Sequence, residues 1–396
     1  MNKRKEINIQ EKILYFMFFL FVFQYVLAQY IGIFSYLDEG YSLLFFLGGL
    51  VAWAARLDRK LTAKNLMWIV SWMGYMVCGW LSSYGSEYYR GLKITLLSYY
   101  LSNKFFVFLI GCLLLMKSER ICGYVGKLTT VIRPVLLSFF IWVILQGIFP
   151  DIAQFSALEV CAKSVFFIAL IILDYRSNKD CLYLLMCIGI LMSTGKGKAY
   201  GAILLTILIL FWTFVIKKKI NLFEIILGLL AIVILGWNKI YYYYVYGIQA
   251  QFPRAMLTKW GAVVANVEFP FGTGWGTFGS HYAIESYSPV YEKLGWENTL
   301  DLNPVRGKLW MNDTFWPTVY CESGWIGFFF FCIMLIIIFG IICKKYNESK
   351  KKYAAGMICF GYMMVTTLES TSFAHPSLLI MAVVFALVMS ENKIIK

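Results

Sequence analysis

Long runs of apolar residues, separated by short polar connections, fill most of the chain. Twelve such runs cover residues 13–34, 41–55, 65–83, 98–116, 134–149, 158–173, 181–194, 199–216, 220–237, 316–342, 353–368 and 374–389. A straight helix needs about 20 apolar residues to cross the hydrocarbon of a bilayer, so several runs are short and their ends are imprecise. The pattern predicts an all-α polytopic membrane protein with about twelve transmembrane helices.

Composition and charge support this fold class and add an orientation. Of the 396 residues, 60% are hydrophobic and 15% are charged, which is more apolar surface than a soluble domain of this length buries in one core. If the N-terminus is cytoplasmic, every second connection is cytoplasmic, and these connections hold 24 of the 36 basic residues. The net charge of +14 is therefore mainly an orientation signal. It predicts that both termini are cytoplasmic, and it does not argue for nucleic acid as a partner.

One connection is long enough to fold by itself. Residues 238–316 form a 79-residue segment rich in Gly, Pro, Trp and Tyr, which the orientation places outside the cell membrane. Long loops are usually functional or disordered, and the aromatic content argues against disorder. Residues 252–266 carry apolar positions at helical spacing, typical of a helix along the membrane surface. The chain thus divides into residues 1–237 with nine helices, the extracytoplasmic loop 238–316, and residues 317–396 with three helices.

Cysteine and histidine usage argues against a metal site. The ten cysteines include no CxxC pair, and most lie in apolar runs, as small residues packed between helices do. With only two histidines, His281 and His375, a zinc centre of the HExxH type is excluded. No metal and no cofactor is predicted.

A glycine-rich stretch between two apolar runs carries Lys196 and Lys198 on the predicted outer side. It reads Leu-Met-Ser-Thr-Gly-Lys-Gly-Lys-Ala-Tyr-Gly-Ala-Ile-Leu-Leu over residues 191–205. Cations near the hydrocarbon cost desolvation energy, which suggests an anionic partner. The alternative is that these lysines only extend to the interface as anchors. Arg90 and Lys93, also on the predicted outer side, have the same two interpretations. Arg254 either contacts an anion, pairs with a loop carboxylate or holds the interfacial helix.

Three segments carry a resemblance to a known family. The segment from Arg254 to Gly279 contains Glu-Phe-Pro-Phe-Gly-Thr-Gly-Trp-Gly-Thr-Phe-Gly over residues 268–279. It resembles the pattern of an Arg, a Trp and then a Pro- and Gly-rich turn in the bacterial O-antigen polymerase and O-antigen ligase superfamily (Wzy and WaaL types). Residues 312–327 look like the return of that family's loop to the membrane, and the stretch with Lys198 looks like its Thr-Gly-Ser-Arg-x-Ala motif. The resemblance covers residues 190–330.

The resemblance implies a function at the outer face of the bacterial cytoplasmic membrane. It implies a GT-C-like membrane glycosyltransferase that joins undecaprenyl-diphosphate-linked oligosaccharides, in contact with membrane lipid and with a chain-length regulator and a flippase as further partners. The ligase branch carries a His-Asn or His-Asp pair where this chain has Met311, Asn312 and Asp313. The missing histidine favours polymerase over ligase. Lysine replaces the motif arginine, and Lys198 suits that position better than Lys196 because small residues follow it.

The resemblance also implies roles for individual residues. The five cations would bind the diphosphate, because Arg suits bidentate phosphate contacts and Lys provides a point charge. They are Lys198, Lys196, Arg254, Arg90 and Lys93. A base for the attacking hydroxyl is sought in the order Asp313, Glu322, His281. The alternatives are a helix cap for Asp313, a hydrogen bond to another helix for Glu322 and a solvated loop position for His281.

Other residues and other functions stay open. Glu369 and His375, near the last helix pair, are secondary candidates for the site, and Gly272, Gly274 and Gly276 suit turns better than a phosphate cradle. A ligase-like glycan transferase is the first alternative function. A flippase or transporter for lipid-linked sugars is the second, although such proteins usually show a repeat between their halves, and none is visible here.

Overall fold

The computed structural model describes residues 9–55, 61–116, 119–221, 237–299 and 313–390, together with positions 224, 230, 234, 302, 303 and 311. The regular structure of these residues is entirely helical. Most of the ninth predicted span, residues 220–237, lies outside the described residues, as does Asn312.

The described helices follow the apolar runs. Before the loop they are α1 (Ile9–Tyr30), α2 (Leu37–Ala54), α3 (Ala63–Gly85), α4 (Leu92–Met116), α5 (Glu119–Ile148), α6 (Ala157–Leu173), α7 (Lys179–Ser193) and α8 (Gly197–Leu210), which continues as a π-helix over Phe211–Ile216. The loop contains a π-helix (Tyr241–Tyr246), α9 (Pro253–Val267), α10 (His281–Glu285) and α11 (Pro289–Lys293). After it come α12 (Trp316–Glu348), α13 (Lys350–Thr366) and α14 (Met381–Met389). The helix predicted at residues 252–266 is confirmed as α9.

Four of the described helical segments are long and apolar enough to cross a membrane. They are Leu92–Met116, Val131–Ile148, Gly197–Ile216 and Trp316–Glu348. The helical segments Tyr15–Tyr30 and Pro376–Met389 are apolar but shorter. Many large apolar side chains are exposed, among them Leu44, Val51 and Leu182, as expected for a surface that contacts lipid. These are the features of a helical membrane protein, and the count of twelve spans stays a prediction.

Helix α6 lies at the centre of the bundle. Every residue from Leu158 to Leu173 is buried, and the helix packs against α5, α7, α8, α13 and α14. Around it, α2 runs along α4 and α3 runs along α12. The close approach of α2 and α4 depends on Gly49 and Gly111, because a Cβ atom on Gly49 would lie 2.8 Å from the carbonyl oxygen of Gly111.

Helix α12 is broken where it meets the loop. Gly324 has φ 69° and ψ 179°, which is not helical. The carbonyl oxygens of Cys321 and Glu322, next to the break, accept hydrogen bonds from the N–H groups of Thr273 (2.8 Å) and Gly274 (2.9 Å). Residues 270–280, here called the glycine segment, therefore replace the intrahelical partners that the break removes. Irregular backbone within a membrane protein needs such partners, because lipid offers none.

The loop forms a folded cap over one end of the bundle, here called the loop face. Its own apolar core contains Leu257, Phe278, Tyr291 and Trp296, all buried. Tyr291 and Trp296 stack with ring centroids 5.2 Å apart. Packing of α9 against α12 attaches this core to the bundle. The loop is therefore an ordered part of the structure across its described residues.

A second segment folds into the bundle between α13 and α14. This connector, residues 367–380, contains two short 3₁₀ turns, Ser372–Ala374 and Pro376–Leu378. Phe373 stacks on Phe106, with centroids 5.5 Å apart, and meets Phe105 edge-on at 5.4 Å. These contacts hold the connector between α4 and α6.

Candidate functional site

Two charged residues from opposite ends of the cap meet at the loop face. Arg254, in the first turn of α9, forms an ion pair with Asp313, with Nε and Oδ2 3.4 Å apart. The guanidinium carbon of Arg254 also lies 5.0 Å from the ring centroid of Tyr243. The two charged side chains are 23% and 26% exposed, so the pair is partly desolvated but still reachable. Arg254 is therefore paired with a loop carboxylate, and its partly exposed guanidinium group can still contact an anion.

Lys198 is a second cation, near enough to act electrostatically on Asp313. It is the second residue of α8 and is half-buried, whereas Lys196 is exposed. Among the described residues, the Lys198 ammonium has no hydrogen-bond or ion-pair partner. The first turn of α8 carries partial positive charge from its free N–H groups. The Nζ atom of Lys239 lies 3.2 Å from the position that a Cβ atom on Gly197 would occupy, so a further cation approaches the same turn.

The local sequence explains how Lys198 reaches this position. Helix α7 ends at Ser193 and α8 begins at Gly197, so the chain reverses within three residues. Gly195 makes this possible with φ 60°, in the left-handed region that glycine adopts at little cost. The Thr194 hydroxyl donates to the carbonyl oxygen of Leu191 (2.8 Å), which closes the end of α7.

Asp313 lies among charges of both signs. Burial raises the pKa of Asp313, and the positive charges of Arg254 and Lys198 partly oppose this rise. The negative charge of Glu369, in the turn after α13, raises the pKa further. The carboxyl group of Asp313 is thus held closer to neutrality than an exposed aspartate, which suits a residue that takes up a proton.

Backbone contacts bring Glu369 to Asp313. The N–H group of Phe315 donates to the carbonyl oxygen of Thr367 (3.1 Å), and the Tyr244 hydroxyl donates to that of Leu368 (3.2 Å). Both ends of the cap are thereby fixed to the turn that carries Glu369. The five residues at this place are called the loop-face cluster: Lys198, Tyr244, Arg254, Asp313 and Glu369.

Glu322 has a different environment. Its Oε1 atom accepts hydrogen bonds from the N–H groups of Gly276 (3.0 Å), Thr277 (3.0 Å) and Phe278 (3.1 Å) and from the Ser280 hydroxyl (2.6 Å). Glu322 is 0% exposed. Consecutive backbone N–H groups that converge on one anion form a stable nest. Through Oε1 the carboxylate therefore anchors the glycine segment, whereas its Oε2 atom is buried and has no hydrogen-bond partner among the described residues. Because the group is not exposed, this geometry does not present it to a substrate as a base.

The glycines of this segment serve close packing. Gly274 has φ 92°, and a Cβ atom on it would lie 2.5 Å from the Cα atom of Ser83 in α3. Gly276 has φ 83°, and a Cβ atom there would lie 2.5 Å from the Ser98 hydroxyl in α4. The N–H groups of Gly274 and Gly276 already bond to Glu322. They form turns between helices, and they are not free to cradle a phosphate.

The remaining candidates lie at the edge of the cap. His281 has a 67% exposed side chain, and its Nε2 atom is 3.5 Å from the Glu285 carboxylate. Arg90 donates from Nη2 to the carbonyl oxygen of Ser286 (2.7 Å), which ties the α3–α4 turn to the cap. Lys93 is exposed. None of these three residues contacts Arg254 or Asp313 among the described residues, so the structure does not bring them into the loop-face cluster.

Sequence reasoning missed the charge pairs inside the bundle. Lys104 of α4 pairs with Asp38 and, at 3.1 Å, with Glu39 at the start of α2. Lys163 pairs with Glu159 one turn earlier in α6. The signal was present, because Lys104, Glu159 and Lys163 lie within apolar runs, where ionisable residues are costly and usually functional.

The loop-face cluster combines two cations and two carboxylates at one end of the bundle, and one of the cations, Lys198, has no partner in the part of the chain that the structure describes. Such a set can hold an anionic group and take a proton from a neutral one. The chain matches no family model and no curated protein. Its function is therefore inferred from the residues of this cluster and their surroundings.

Proposed function

We propose that the protein is a polymerase of the O-antigen polymerase type, which joins undecaprenyl-diphosphate-linked oligosaccharide repeat units. One observation carries the proposal: the half-buried Lys198, whose ammonium has no partner among the described residues, acts electrostatically on Asp313 of the Arg254–Asp313 ion pair, although the three residues come from distant parts of the chain. A partly desolvated cation with no partner among the described residues is costly unless a ligand provides the negative charge. A lipid-linked diphosphate fits this requirement.

The cluster supplies the groups that glycan transfer needs. Lys198 and Arg254 hold the donor diphosphate. The bond between the anomeric carbon of the donor sugar and the diphosphate oxygen breaks, and its electron pair stays on the diphosphate. The acceptor hydroxyl oxygen forms the new bond to the same carbon, and its proton passes to Asp313. The two cations stabilise the negative charge that develops on the leaving diphosphate.

The surface of α8 suits the lipid part of such a substrate. Four large apolar side chains follow Lys198 along the exposed side of this helix: Tyr200, Leu204, Leu208 and Phe211. Their spacing of three to four residues places them on one face. With 3.6 residues per turn this face lies on the other side of α8 from Lys198, so the hydrocarbon chain of a diphosphate held at the first turn would reach it around the end of the helix.

The proposal includes a location. We place the protein in the bacterial cytoplasmic membrane with cytoplasmic termini and an extracytoplasmic cap. Glu285 is exposed on the cap, and the native Cys181 is exposed in the first turn of α7, a predicted cytoplasmic connection. A Glu285→Cys variant should react with an impermeant maleimide in intact cells, whereas Cys181 should react only after the cells are opened. The opposite pattern would reverse the orientation.

Purified protein in liposomes tests the reaction. Given lipid-diphosphate-linked repeat units of its host, a polymerase should produce a ladder of lipid-linked products. A ligase-like transferase would instead move glycan to a different acceptor, and a flippase would move the substrate across the bilayer without elongation. Cells that lack the protein should accumulate single repeat units if it is a polymerase. They should accumulate full-length chains on the carrier if it is a ligase.

A further inference from the structure

The end of the bundle opposite the loop face carries a cluster of lysines. Helix α8 begins at Gly197, next to Lys198, and its helical residues continue to Ile216, about 30 Å further along the axis. The three lysines that follow it have no hydrogen-bond or ion-pair partner among the described residues, and the same is true of two lysines at the turn between α12 and α13. These five residues, all exposed except the half-buried last one, are here called the lysine cluster: Lys217, Lys218, Lys219, Lys344 and Lys350.

Contacts between the end of α8 and the α12–α13 turn bring the two groups of lysines together. The N–H group of Ile220, directly after the three lysines, donates to the hydroxyl of Tyr353 in α13 (3.1 Å). The ring of Tyr353 meets that of Tyr346 in α12 edge-on, with centroids 5.2 Å apart. The Nζ atom of Lys350 lies 5.6 Å from the centroid of the Tyr346 ring. Lysines from two distant segments thus share one end of the bundle.

Carboxylates near the cluster do not balance its charge. Glu348, in the last turn of α12, pairs with Lys345, which is not part of the cluster. Glu224 accepts a hydrogen bond from the N–H group of Asn221 (2.8 Å). In the described part of this end, five lysines are therefore accompanied by a single carboxylate that is not in an ion pair. The result is an excess of positive charge.

The fold alone favours other residues at two of these positions. Lys217 ends α8 with φ 59° and ψ 32°, the left-handed conformation that suits glycine at the end of a helix and strains a residue with a side chain. The carbonyl end of α8 attracts cations, but Lys218 and Lys219 can provide that charge without the strain. Lys350 is the first residue of α13, where free N–H groups carry partial positive charge and acidic side chains are favoured. These positive charges therefore point to an anionic partner.

The position of the cluster along α8 corresponds to the headgroup level of a membrane. Phe214 and Val215, in the last turn before the lysines, are 39% and 64% exposed, as expected for side chains that contact lipid tails. Lysines directly after an apolar spanning helix lie where the phosphate groups of the lipids begin. Among anionic partners, a lipid headgroup is the one that is already present at this level.

We propose that the lysine cluster binds the phosphate group of an anionic phospholipid in the leaflet at this end of the bundle. The end of α8 and the turn between α12 and α13 hold the headgroup between them. The bound lipid links helices that are distant in the sequence, and it stabilises the folded protein because it binds the folded state. The inference does not rest on the proposed function, since the cluster lies opposite the loop face. In the predicted orientation this leaflet is the cytoplasmic one.

Thermal unfolding of the purified protein in a neutral detergent tests the site. Phosphatidylglycerol should raise the unfolding temperature of wild type, and phosphatidylcholine with the same acyl chains should not. A lysine near lipid headgroups contributes about fivefold to binding. Lys350→Glu reverses one charge, so the phosphatidylglycerol concentration that gives half of the stabilisation should rise at least about tenfold, and Lys217→Gly should raise it about fivefold. Without lipid, both variants should unfold at the same temperature as wild type or higher, since each removes an unfavourable residue.

Lys12→Glu is the matched control for Lys350→Glu. Lys12 is exposed in the first turn of α1, so the same exchange is made at a similar helix position outside the cluster. Its half-stabilising concentration should stay within about threefold of wild type. If Lys12→Glu loses as much as Lys350→Glu, the lysines attract anionic lipid only diffusely and the proposed site is wrong.

Three further outcomes would overturn the proposal. The first is an unchanged half-stabilising concentration in both Lys350→Glu and Lys217→Gly. The second is a lower unfolding temperature of both variants without lipid, which would show that the lysines themselves hold the fold. The third is stabilisation by inorganic phosphate or by a glutamate-rich peptide that equals the effect of phosphatidylglycerol, which would indicate an ion site or a protein partner instead.

Discussion

The glycine segment with Glu322 and the loop-face cluster contrast in how strongly the protein itself hydrogen-bonds their charged groups. On Glu322, one carboxylate oxygen accepts four hydrogen bonds inside the protein and no part of the residue is exposed. In the cluster, Arg254 and Asp313 form a longer, partly exposed pair, and Lys198 has no partner among the described residues. Both regions lie at the junction of cap and bundle.

This difference distinguishes charged groups that stabilise the fold from charged groups that are available to bind a ligand. Burial of a carboxylate is tolerated when hydrogen bonds replace its water, and such a group contributes stability. A cation that is half-buried without such contacts contributes little to the fold and is available for binding. The type and the sequence position of Glu322 and Lys198 do not reveal this difference, but their partners do.

The largest loss of stability is expected when Glu322 is substituted. Glu322→Ala would leave three backbone N–H groups and the Ser280 hydroxyl without their acceptor, and each unsatisfied donor costs about 1–3 kcal/mol. We expect a loss of about 4 kcal/mol or more of stability and little folded protein. Glu322→Gln keeps a carbonyl oxygen at the Oε1 position but places an amide NH₂ group where Oε2 is buried without a partner among the described residues, so it should lose about 1–3 kcal/mol and still fold and polymerise. Thermal unfolding in detergent and polymerisation assays check both variants. A well-folded but inactive Gln variant would show that Glu322 is a base.

Substitution of Asp313 should lower the rate of polymerisation and leave the fold intact. Removal of a general base typically lowers the rate about 10²–10⁴-fold, so Asp313→Asn should be folded but nearly inactive. Because burial raises the pKa of Asp313 and the base acts in its ionised form, wild-type activity should fall as the pH is lowered through this raised pKa. Rates of polymerisation over a pH series provide the measurement, with the exposed Glu285→Gln as the control. Normal activity of Asp313→Asn would move the role of base to Glu369.

Alanine substitution of two glycines, one in each region, compares how tightly the two regions are packed. Gly274 and Gly195 both have positive φ, but a Cβ atom on Gly274 would approach the backbone of Ser83, whereas one on Gly195 would meet open space. Gly195→Ala should therefore cost only about 1–2 kcal/mol, the penalty of the left-handed conformation. Gly274→Ala adds an overpacking cost of about 1–3 kcal/mol. Denaturation of the two variants should rank them in this order, and equal stabilities would mean that the glycine segment is less tightly packed than described.

The sequence was a good guide to features that depend on nearby residues. Apolar runs predicted the helices because helix formation and burial follow local patterns, and the spacing within residues 252–266 predicted α9. The small residues after Lys198 distinguished it from Lys196, and the structure places the first half-buried and the second exposed.

Features that depend on distant contacts were not visible in the sequence. Glu322 bonds to residues more than 40 positions earlier, and Ser377 bonds to Glu159 across 218 positions. The break at Gly324 depends on the glycine segment that packs against it, so no local pattern defines it.

The most direct test of the loop-face cluster is the rate of polymerisation by purified variants on lipid-diphosphate-linked repeat units. Loss of an oriented charge from a site that excludes water typically lowers the rate about 10²–10³-fold, and we expect this for Lys198→Ala and for Arg254→Ala. Lys198→Arg should retain more activity, since the charge is kept, and the exposed neighbour Lys196→Ala should stay close to wild type. If Lys198→Ala and Arg254→Ala both remain within about threefold of wild type, a difference below about 1 kcal/mol, the two cations do not bind the donor and the proposed site is wrong.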